Sequence, residues 1–429
     1  MVTFTCALLI LQAKSTAASR MDLGERVKRL DRLWVDQKDI PRRRQAVVSI
    51  NGSVGSFFSA KWSEASRQLD EACAALRGEK ISTSDAISLR FEPPVVEPKT
   101  KAKLRISWAY SPKEFRAVRI QVGGQSVSAI PGRTITIDVQ PEIAVPELRA
   151  GGDAGVLVPI TVDGSTRFTY LSVVKSYRPR LERLEESTKP EVLGLVDVLN
   201  KSLDPDHEDE TDPSFVQLLG TAEIMEAGDL SSINELFTCS YGSTKFRVAL
   251  PKGSRKGPMT VVIAYHGAGA SQNMFFESYG GGMVANEALK RGWIFVAPTV
   301  RAGAYEDILK WLRERAKINV SRVVLMGHSM GGGAVFSEAN KMSPKPDALV
   351  AFAPAAGVVP EGLKSIPLFL AVGKQEMGMI QSNVQRMSKS MAGSPSFELF
   401  EADPCEHLMI VADAARPAFT FLDRVLSRR

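Results

Sequence analysis

At the start of the chain, apolar residues recur at the spacing of an α-helix. Leu23, Val27 and Leu30 lie three or four positions apart, and a similar spacing continues to about residue 80. Side chains at this spacing share one face of a helix, and an apolar face is normally buried. Residues 21–80 are therefore predicted to form a helical segment with one buried face.

From residue 81 to residue 178 the period of the pattern falls to two. Leu104, Ile106 and Trp108 alternate with polar neighbours, and glycine pairs and Asp-Gly dipeptides separate such runs. Strict alternation is typical of strands with one buried face, and the breaks supply the turns between them. The region 81–178 is predicted to be a small β-sandwich-like domain. Within it Pro159 indicates an edge strand, because proline donates no ladder hydrogen bond.

Residues 179–213 combine a charged amphipathic pattern with a short acidic run. The run is DPDHEDETDP, which holds two prolines among mostly acidic residues. A segment with so little to bury cannot build a core of its own, so 179–213 is predicted to be a helix followed by an acidic linker. His207 lies in this run without a second histidine nearby, which argues against a metal site there.

The region 214–429 alternates apolar runs with helical patterns. Unbroken β-rich runs are typical of strands buried on both faces, and intervening helices indicate parallel neighbours joined by crossovers. An α/β domain is therefore predicted, with a mostly parallel central sheet flanked by helices, its own core and two antiparallel strands at one edge. The runs are Val261–Tyr265, Trp293–Ala297, Val323–Met326, Leu349–Ala353 and Pro367–Val372.

Composition and charge narrow the class of protein. Hydrophobic residues make up 44% of the 429 residues and charged residues 24%, the balance of an ordinary globular protein. The net charge of +6 is not gathered into a basic cluster, so no nucleic-acid partner is expected. No run reaches the roughly 20 apolar residues of a membrane-spanning helix, so no stable membrane span is expected.

The first residues have the pattern of an export signal. An apolar run from Val2 to Ala13 precedes small residues that end at Ala18. This is the order of the hydrophobic and cleavage regions in a secretory signal, although only the terminal amine supplies the positive charge at its start. Residues 1–20 are interpreted as a candidate signal peptide, which predicts a periplasmic or extracellular protein and leaves a cytoplasmic location open.

A serine lies at the end of one predicted buried strand. Gly327-His328-Ser329-Met330-Gly331 has the form G-x-S-x-G, and a helical pattern follows it. A serine on a sharp strand-to-helix turn is strained, so only small flanking residues leave room for neighbouring elements. The turn exposes the hydroxyl above the sheet, which makes Ser329 the candidate nucleophile.

An earlier predicted strand ends in a second motif of small residues. His266-Gly267 follows this strand and leads into Ala268, where the backbone can approach the nucleophile closely. Backbone N–H groups aimed at a developing negative charge form an oxyanion hole. Ala268 and Met330 are the predicted donors.

From Leu236 to the C-terminus the chain resembles the α/β-hydrolase superfamily. The phrases YHG at 265–267 and GHSMGG at 327–332 are most similar to those of bacterial feruloyl esterases and polyhydroxybutyrate depolymerases. Dienelactone-hydrolase-like and prolyl-oligopeptidase-type enzymes share much of this wording. The resemblance implies the α/β-hydrolase fold and the catalytic order serine, acid, histidine.

The general base follows by elimination among four histidines. His266 and His328 belong to the two motifs, and His207 precedes the domain in the acidic run. His407 is the histidine that follows Ser329, in a loop after the last strand-like run. His407 is therefore the predicted base.

The acid is less closely determined by the sequence. In the family it follows the glycine that ends the penultimate strand by about three residues, which points from Gly373 to Glu376. The usual residue is aspartate, so a glutamate departs from the family pattern. Glu361, Glu401 and Asp403 remain alternatives.

The predicted reaction is hydrolysis of carboxylic esters of short acyl or aryl acids through an acyl-enzyme, with no metal and no cofactor. The predicted partner is a small-molecule or polymer-attached ester. No room for a helical lid is left between Ala353 and Pro367, which favours an open site. A peptidase of prolyl-oligopeptidase type and a non-catalytic binding protein are the alternatives. Residues predicted to contact substrate are His266, Gly267, Phe275 and Phe276; the two phenylalanines could instead pack the following helix.

Overall fold

A computed structural model describes residues 18–140, 145–148, 153–204, 214–228, 237–253, 256–394 and 396–427. Most of the predicted signal peptide and the acidic run after Asp204 lie outside these ranges. Ser19 is described, and its side chain caps the first helix by accepting a hydrogen bond from Asp22 N. Export remains a prediction.

The helices follow the predicted helical patterns. Residues 21–80 hold three of them, and the remaining helices lie between or after the strands. The helices are α1 (Arg20–Asp36), α2 (Ile40–Phe58), α3 (Trp62–Arg77), α4 (Tyr177–Glu185), α5 (Pro190–Leu203), α6 (Phe215–Ala227), α7 (Met274–Glu277), α8 (Tyr279–Lys290), α9 (Ala304–Glu314), α10 (Met330–Lys341), α11 (Gly378–Ser390) and α12 (Ile410–Leu426).

The strands fall into an N-terminal and a C-terminal group. The first group is β1 (Ile87–Phe91), β2 (Val95–Val96), β3 (Ala102–Trp108), β4 (Val118–Val122), β5 (Gln125–Ala129), β6 (Ile135–Val139), β7 (Val145–Leu148), β8 (Ala154–Val162) and β9 (Ser165–Val173). The second group is β10 (Phe237–Tyr241), β11 (Thr244–Ala249), β12 (Pro258–Tyr265), β13 (Ile294–Pro298), β14 (Asn319–His328), β15 (Ala348–Phe352), β16 (Leu368–Gly373) and β17 (Phe397–Ala402).

The C-terminal strands form one eight-stranded sheet in the order β10-β11-β13-β12-β14-β15-β16-β17. The β10–β11 and β11–β13 pairs are antiparallel. Every other pair of neighbours, from β13–β12 to β16–β17, is parallel. This confirms the predicted mostly parallel sheet with two antiparallel strands at one edge.

Both faces of this sheet are covered. Successive residues of a strand point to opposite faces, and in β12 Val261 and Ile263 join one hydrophobic cluster while Val262 and Ala264 join another. Helices α5, α6, α9 and α10 contribute to the first cluster. Helices α8 and α12 contribute to the second.

The N-terminal helices add a further layer on this second side. Leu30 and Trp34 of α1 and Ile50 of α2 are fully buried in the same cluster as α8 and α12. The Trp34 indole N–H donates to Asp413 of α12 over 3.0 Å. The predicted helical segment therefore buries its apolar face against this side of the eight-stranded sheet.

The N-terminal strands form two sheets, β1-β3-β6 and β2-β9-β8-β4-β5, with β7 paired to β8. Side chains from both sheets share one hydrophobic cluster. The edge-strand prediction from Pro159 is wrong, because β8 lies between β9 and β4. Pro159 is tolerated because β7 pairs with β8 only up to Leu157, and β4 pairs only from Thr161. The missing N–H thus falls in the gap between two ladders.

Within the described ranges, no helix is long and apolar enough to cross a membrane.

Candidate active site

Ser329 lies on a strained turn between β14 and α10. Its backbone has φ 55° and ψ −118°, an unusual conformation for a residue with a side chain. A Cβ on Gly327 would lie 2.2 Å from Gly331 O, and one on Gly331 would lie 2.0 Å from Tyr265 O. The glycines of the G-x-S-x-G motif are therefore required by close backbone packing.

The structure brings Ser329, His407 and Glu376 into one hydrogen-bonded line. The His407 Nε2 atom is 2.9 Å from Ser329 Oγ, and its Nδ1 atom is 3.0 Å from both carboxylate oxygens of Glu376. All three residues are buried, with exposed fractions of 8%, 3% and 7%. This low exposure shields the line from water and strengthens its electrostatic interactions.

These three residues follow the carboxyl ends of three parallel strands, β14, β16 and β17. Glu376 follows β16, and His407 lies in the loop between β17 and α12. Parallel strands end at the same edge of a sheet, so the loops after β14, β16 and β17 meet there.

The alternative acids bond to other side chains or are exposed. Asp403 accepts from the Gln375 side chain and pairs with Lys374. Glu361 pairs with Lys364 and is largely exposed, and Glu401 is exposed on β17.

Of the two predicted oxyanion donors, Met330 lies in a helix and Ala268 lies in a turn. Met330 is the first residue of α10, so its N–H has no acceptor within the helix. Ala268 lies in a turn that is closed by Ala270 N donating to Gly267 O. This bond leaves the Ala268 N–H unused by the turn. A Cβ on Gly267 would lie 3.5 Å from Ser329 Cβ, so the loop passes close to the nucleophile.

Two of the predicted substrate contacts are buried instead. Phe275 is fully buried and packs edge-on against Tyr279 and Phe295. The ring of His266 is 4% exposed, and its Nε2 atom accepts from Val300 N. Both residues pack beneath the loop that carries Gly267 and Ala268, and neither presents a surface to substrate.

Phe276 is half-buried and belongs to the same aromatic packing. The Arg247 guanidinium lies 4.6 Å from the centre of its ring, and Phe295 packs against it edge-on. The alternative that these aromatic residues pack the helix is the one the structure favours. Gly267 is also buried, and what it contributes is the close approach of its backbone.

Sequence reasoning missed the role of His328, the residue before Ser329. Its Nε2 atom is 2.8 Å from the carbonyl oxygen of His407, and its Nδ1 atom is 2.8 Å from the Tyr279 hydroxyl. Burial holds the pKa of His328 well below its ordinary value, so the ring is neutral. From the sequence alone, a histidine inside the motif indicates only a part of the turn.

Glu406 is a second residue that the sequence did not single out. Its side chain is fully buried, and its carboxylate accepts from Leu408 N over 2.7 Å and Met409 N over 3.1 Å. These bonds fix the loop that carries His407 at the start of α12. Burial raises the pKa of Glu406 to about 8.

The N-terminal helices border the site on two sides. The Arg20 guanidinium donates to Gly269 O over 2.6 Å, and a Cβ on Gly269 would lie 2.5 Å from the Phe57 ring. Asn51 of α2 donates to Gln375 O, next to Glu376, over 2.9 Å. The loop after β15 is short, as the sequence predicted, but the surroundings of the cleft include residues from far upstream.

No protein-family model matches the chain, and no curated protein matches it. Solved structures similar to it include the Pyrococcus furiosus esterase Pf2001, at 18% identity over 47% of this chain and 94% of that chain with a TM-score of 0.36. Est1E from Butyrivibrio proteoclasticus is 15% identical over 45% and 99%, with a TM-score of 0.36. S-formylglutathione hydrolase from Staphylococcus aureus is 16% identical over 44% and 95%, with a TM-score of 0.36.

Because these scores are low, the fold rests on the topology itself. Counted along the chain from β10 as the first strand, the sheet order is 1-2-4-3-5-6-7-8, with the second strand antiparallel. The strained serine follows the fifth strand, and a histidine follows the eighth. Residues 237–427 thus have the α/β-hydrolase fold, as the sequence predicted.

Proposed function

We propose that this protein is a serine hydrolase that cleaves carboxylic esters of short acyl or aryl acids. The observation that carries the proposal is the buried hydrogen-bonded line from Glu376 through His407 to Ser329. A serine hydroxyl is a weak nucleophile unless a base lies within hydrogen-bond reach and a third group orients that base. The line supplies both.

In the proposed mechanism His407 Nε2 takes the proton of Ser329 Oγ while this oxygen attacks the ester carbonyl. The carboxylate of Glu376 accepts a hydrogen bond from the Nδ1–H of His407, which fixes the tautomer and stabilises the imidazolium. The N–H groups of Ala268 and Met330 receive the oxyanion of the tetrahedral intermediate. His407 then protonates the leaving alcohol, and the acyl group stays on Ser329. Water attacks the acyl-enzyme by the same proton transfers and releases the acid.

Short acyl groups are proposed because the loop after β15 is too short for a helical lid, so an acyl chain would meet only the side chains that border Ser329. The Met330 side chain is 39% exposed beside the nucleophile, and Phe57 is half-buried next to Gly269. A buried methylene contributes about 0.8 kcal/mol only where such a surface exists. We expect kcat/KM to rise from acetyl to butyryl esters and then to stop rising.

Labelling with a fluorophosphonate probe tests the nucleophile directly. Ser329→Ala should abolish labelling and lower turnover of p-nitrophenyl esters by several orders of magnitude, because the attacking oxygen is gone. Ser337→Ala is the matched control, since Ser337 lies exposed on the same helix and its hydroxyl donates to Ala334 O within that helix. Labelling that survives Ser329→Ala would falsify the assignment.

The reaction class is tested by a substrate panel. p-Nitrophenyl esters from acetate to palmitate are compared with feruloyl esters and with peptide substrates. Turnover of peptides alone would favour a peptidase. A maximum at ten carbons or more would show a larger acyl site than the one proposed.

A further inference from the structure

Tyr279 begins an unusual turn at the start of α8. It has φ 51°, and the three glycines that follow have φ values of 77°, 67° and 77°. Four successive residues are therefore left-handed. Glycine adopts this conformation at little cost, whereas a tyrosine loses roughly 1–2 kcal/mol in it. Such a residue stays in place only where its surroundings hold it.

Contacts from far along the chain hold this turn. Asp31 of α1 is 1% exposed, and its Oδ1 atom accepts from Gly280 N over 3.2 Å. Gly282 N donates to Ser278 O over 2.8 Å and closes the turn. A Cβ on Gly282 would lie 2.6 Å from Phe276 O, so a larger residue would break it. The Tyr279 ring, 3% exposed, packs edge-on against Phe275.

The direction of each hydrogen bond around the Tyr279 hydroxyl is fixed by its partners. The His407 carbonyl can only accept, so the His328 Nε2 atom, 2.8 Å away, carries the proton. In a neutral ring His328 Nδ1 is then an acceptor, and the Tyr279 hydroxyl must donate to it over 2.8 Å. The hydroxyl oxygen in turn accepts from Gly267 N over 3.4 Å.

One hydroxyl thus connects three loops. Gly267 precedes Ala268 in the oxyanion loop, His328 precedes Ser329, and the bonded carbonyl belongs to His407. The proposed reaction needs these loops at fixed distances, because a misplacement of about 1 Å can cost roughly a hundredfold in rate.

We propose that Tyr279 is a positioning residue that sets the oxyanion loop against the Ser329–His407 pair, and that Asp31 holds Tyr279 in place. The proposal rests on the proposed function for its kinetic consequences. Its hydrogen-bond geometry can be tested without any substrate.

Tyr279→Phe removes the hydroxyl and keeps the ring. Oxyanion contacts form fully only in the transition state, so kcat should fall roughly ten- to a hundredfold while KM changes little. Tyr305→Phe is the control, because Tyr305 is also a buried tyrosine but donates to Glu306 on α9. Its kinetics should equal those of the wild type. A Tyr279→Phe enzyme with unchanged kcat overturns the proposal.

A pair of Asp31 variants tests the support from α1. Asp31→Leu removes the acceptor for Gly280 N and should lower kcat as Tyr279→Phe does. Asp31→Asn keeps an oxygen acceptor for Gly280 N and should therefore keep most of the wild-type kcat. Equal rates for the two variants contradict the role given to Asp31.

Nitrogen NMR of the imidazoles gives the test that does not depend on activity. The chain has only four histidines, so their ring nitrogens can be resolved after selective labelling. In the wild type His328 should be protonated on Nε2 alone throughout the neutral range. In Tyr279→Phe its Nδ1 resonance should move downfield, toward that of a nitrogen without a hydrogen bond.

The outcomes separate the two proposals. A wild type that neither labels nor hydrolyses esters, but shows the expected His328 signals, refutes the proposed function and leaves the geometry intact. A wild-type His328 protonated on Nδ1 reverses the hydrogen bond from Tyr279 and overturns this inference, whether or not any variant folds.

Discussion

Glu376 binds the His407 imidazole through both carboxylate oxygens, although an aspartate is usual at this place in the α/β-hydrolases that the sequence resembles. The longer side chain reaches the ring from a buried position after β16. We predict that Glu376→Gln lowers kcat by roughly a hundred- to ten-thousandfold, because an amide favours the wrong tautomer and loses the charge that stabilises the imidazolium. Steady-state kinetics with p-nitrophenyl butyrate measures the loss, which should be smaller than that of Ser329→Ala.

Asp403→Asn is the matched control for the acid. Asp403 lies in the loop of His407, is exposed and bonds to Gln375 and Lys374. Its rate should remain close to that of the wild type. A collapse in Asp403→Asn with little change in Glu376→Gln would show that the acid has been misassigned.

Glu406 couples the loop of His407 to pH. Its pKa is raised to about 8 by burial, and the carboxylates of Glu376 and Asp413 add to the shift. The folded state therefore holds this proton more tightly than the unfolded state, whose glutamate titrates near pH 4.3. This contribution to stability is fully present below about pH 4.3 and is lost as the pH rises through about 8. The slope is at most about 1.4 kcal/mol per pH unit.

We predict that Glu406→Gln flattens this decline in the free energy of unfolding between about pH 5 and pH 8. Denaturant unfolding at several pH values measures it. Asp31, whose pKa burial raises to about 7, contributes in the same direction, so the informative quantity is the difference between variant and wild type. Glu401→Gln, at an exposed position on β17, is the control. Parallel pH curves for wild type and Glu406→Gln would rule out the coupling.

The turn between β14 and α10 depends on close backbone contacts rather than on side chains. A Cβ on Gly331 would lie 2.0 Å from Tyr265 O, and backbone at that place cannot yield without moving β12. Gly331→Ala should therefore destabilise the protein by roughly 1–3 kcal/mol or more and displace Ser329. The expected result is a lower Tm together with loss of fluorophosphonate labelling.

Gly378→Ala is the matched control for this turn. Gly378 begins α11, and a Cβ there would meet no atom within 4 Å. Alanine also forms helix better than glycine, so Tm should stay the same or rise. If Gly331→Ala labels and melts like the wild type, close packing does not determine the turn.

The helices and strands of residues 214–429 could be predicted because the sequence patterns that indicate them are local. Each buried strand of the large sheet is a run of apolar residues, and the strained turn is signalled by glycines beside Ser329. The position of Glu376 follows from the resemblance, which implies an acid about three residues after the glycine that ends its strand. Such features depend on a few neighbouring residues, so one sequence contains enough information.

The rest depends on contacts between distant residues. Asp31 and Gly280 lie 249 positions apart, and nothing local to either one indicates the bond between them. In the sequence, an aromatic residue such as Phe275 suits a substrate subsite. Its burial becomes visible from its packing against Phe295 in the structure. The sequence does not show that a central strand can hold Pro159, because this depends on where the pairing of β8 with β7 and with β4 ends.

The molecule as a whole is built around both faces of the large sheet. Helix α5 contributes the fully buried Val192 and Leu195 to one face, and Trp34 of α1 covers the other through α12. The sequence suggested that residues 214–429 have their own core. In the structure, upstream segments cover part of that core. Without them, apolar surface of residues 214–429 would be exposed to water.

We predict that a chain starting at residue 214 is insoluble when produced alone, because it lacks α1–α5 and exposes the surfaces that they cover. Producing residues 18–204, which omit most of the candidate signal peptide, as a separate chain in the same cells should restore a soluble complex, since the buried contacts need both parts but not a continuous backbone. Size-exclusion chromatography measures the complex, and fluorophosphonate labelling of Ser329 reports whether its site has formed.

The same pair of chains with Trp34→Ala in the first chain is the control for specific association. Removing a fully buried tryptophan costs roughly 3–5 kcal/mol, and the hydrogen bond to Asp413 is lost with it. Recovery of soluble, labelled complex should therefore fall clearly below that of the unmodified pair. A soluble, monodisperse chain 214–429 that labels on Ser329 by itself would mean that this part folds as an independent domain without the upstream helices. Equal recovery with and without Trp34 would mean that α1 does not hold the two parts together.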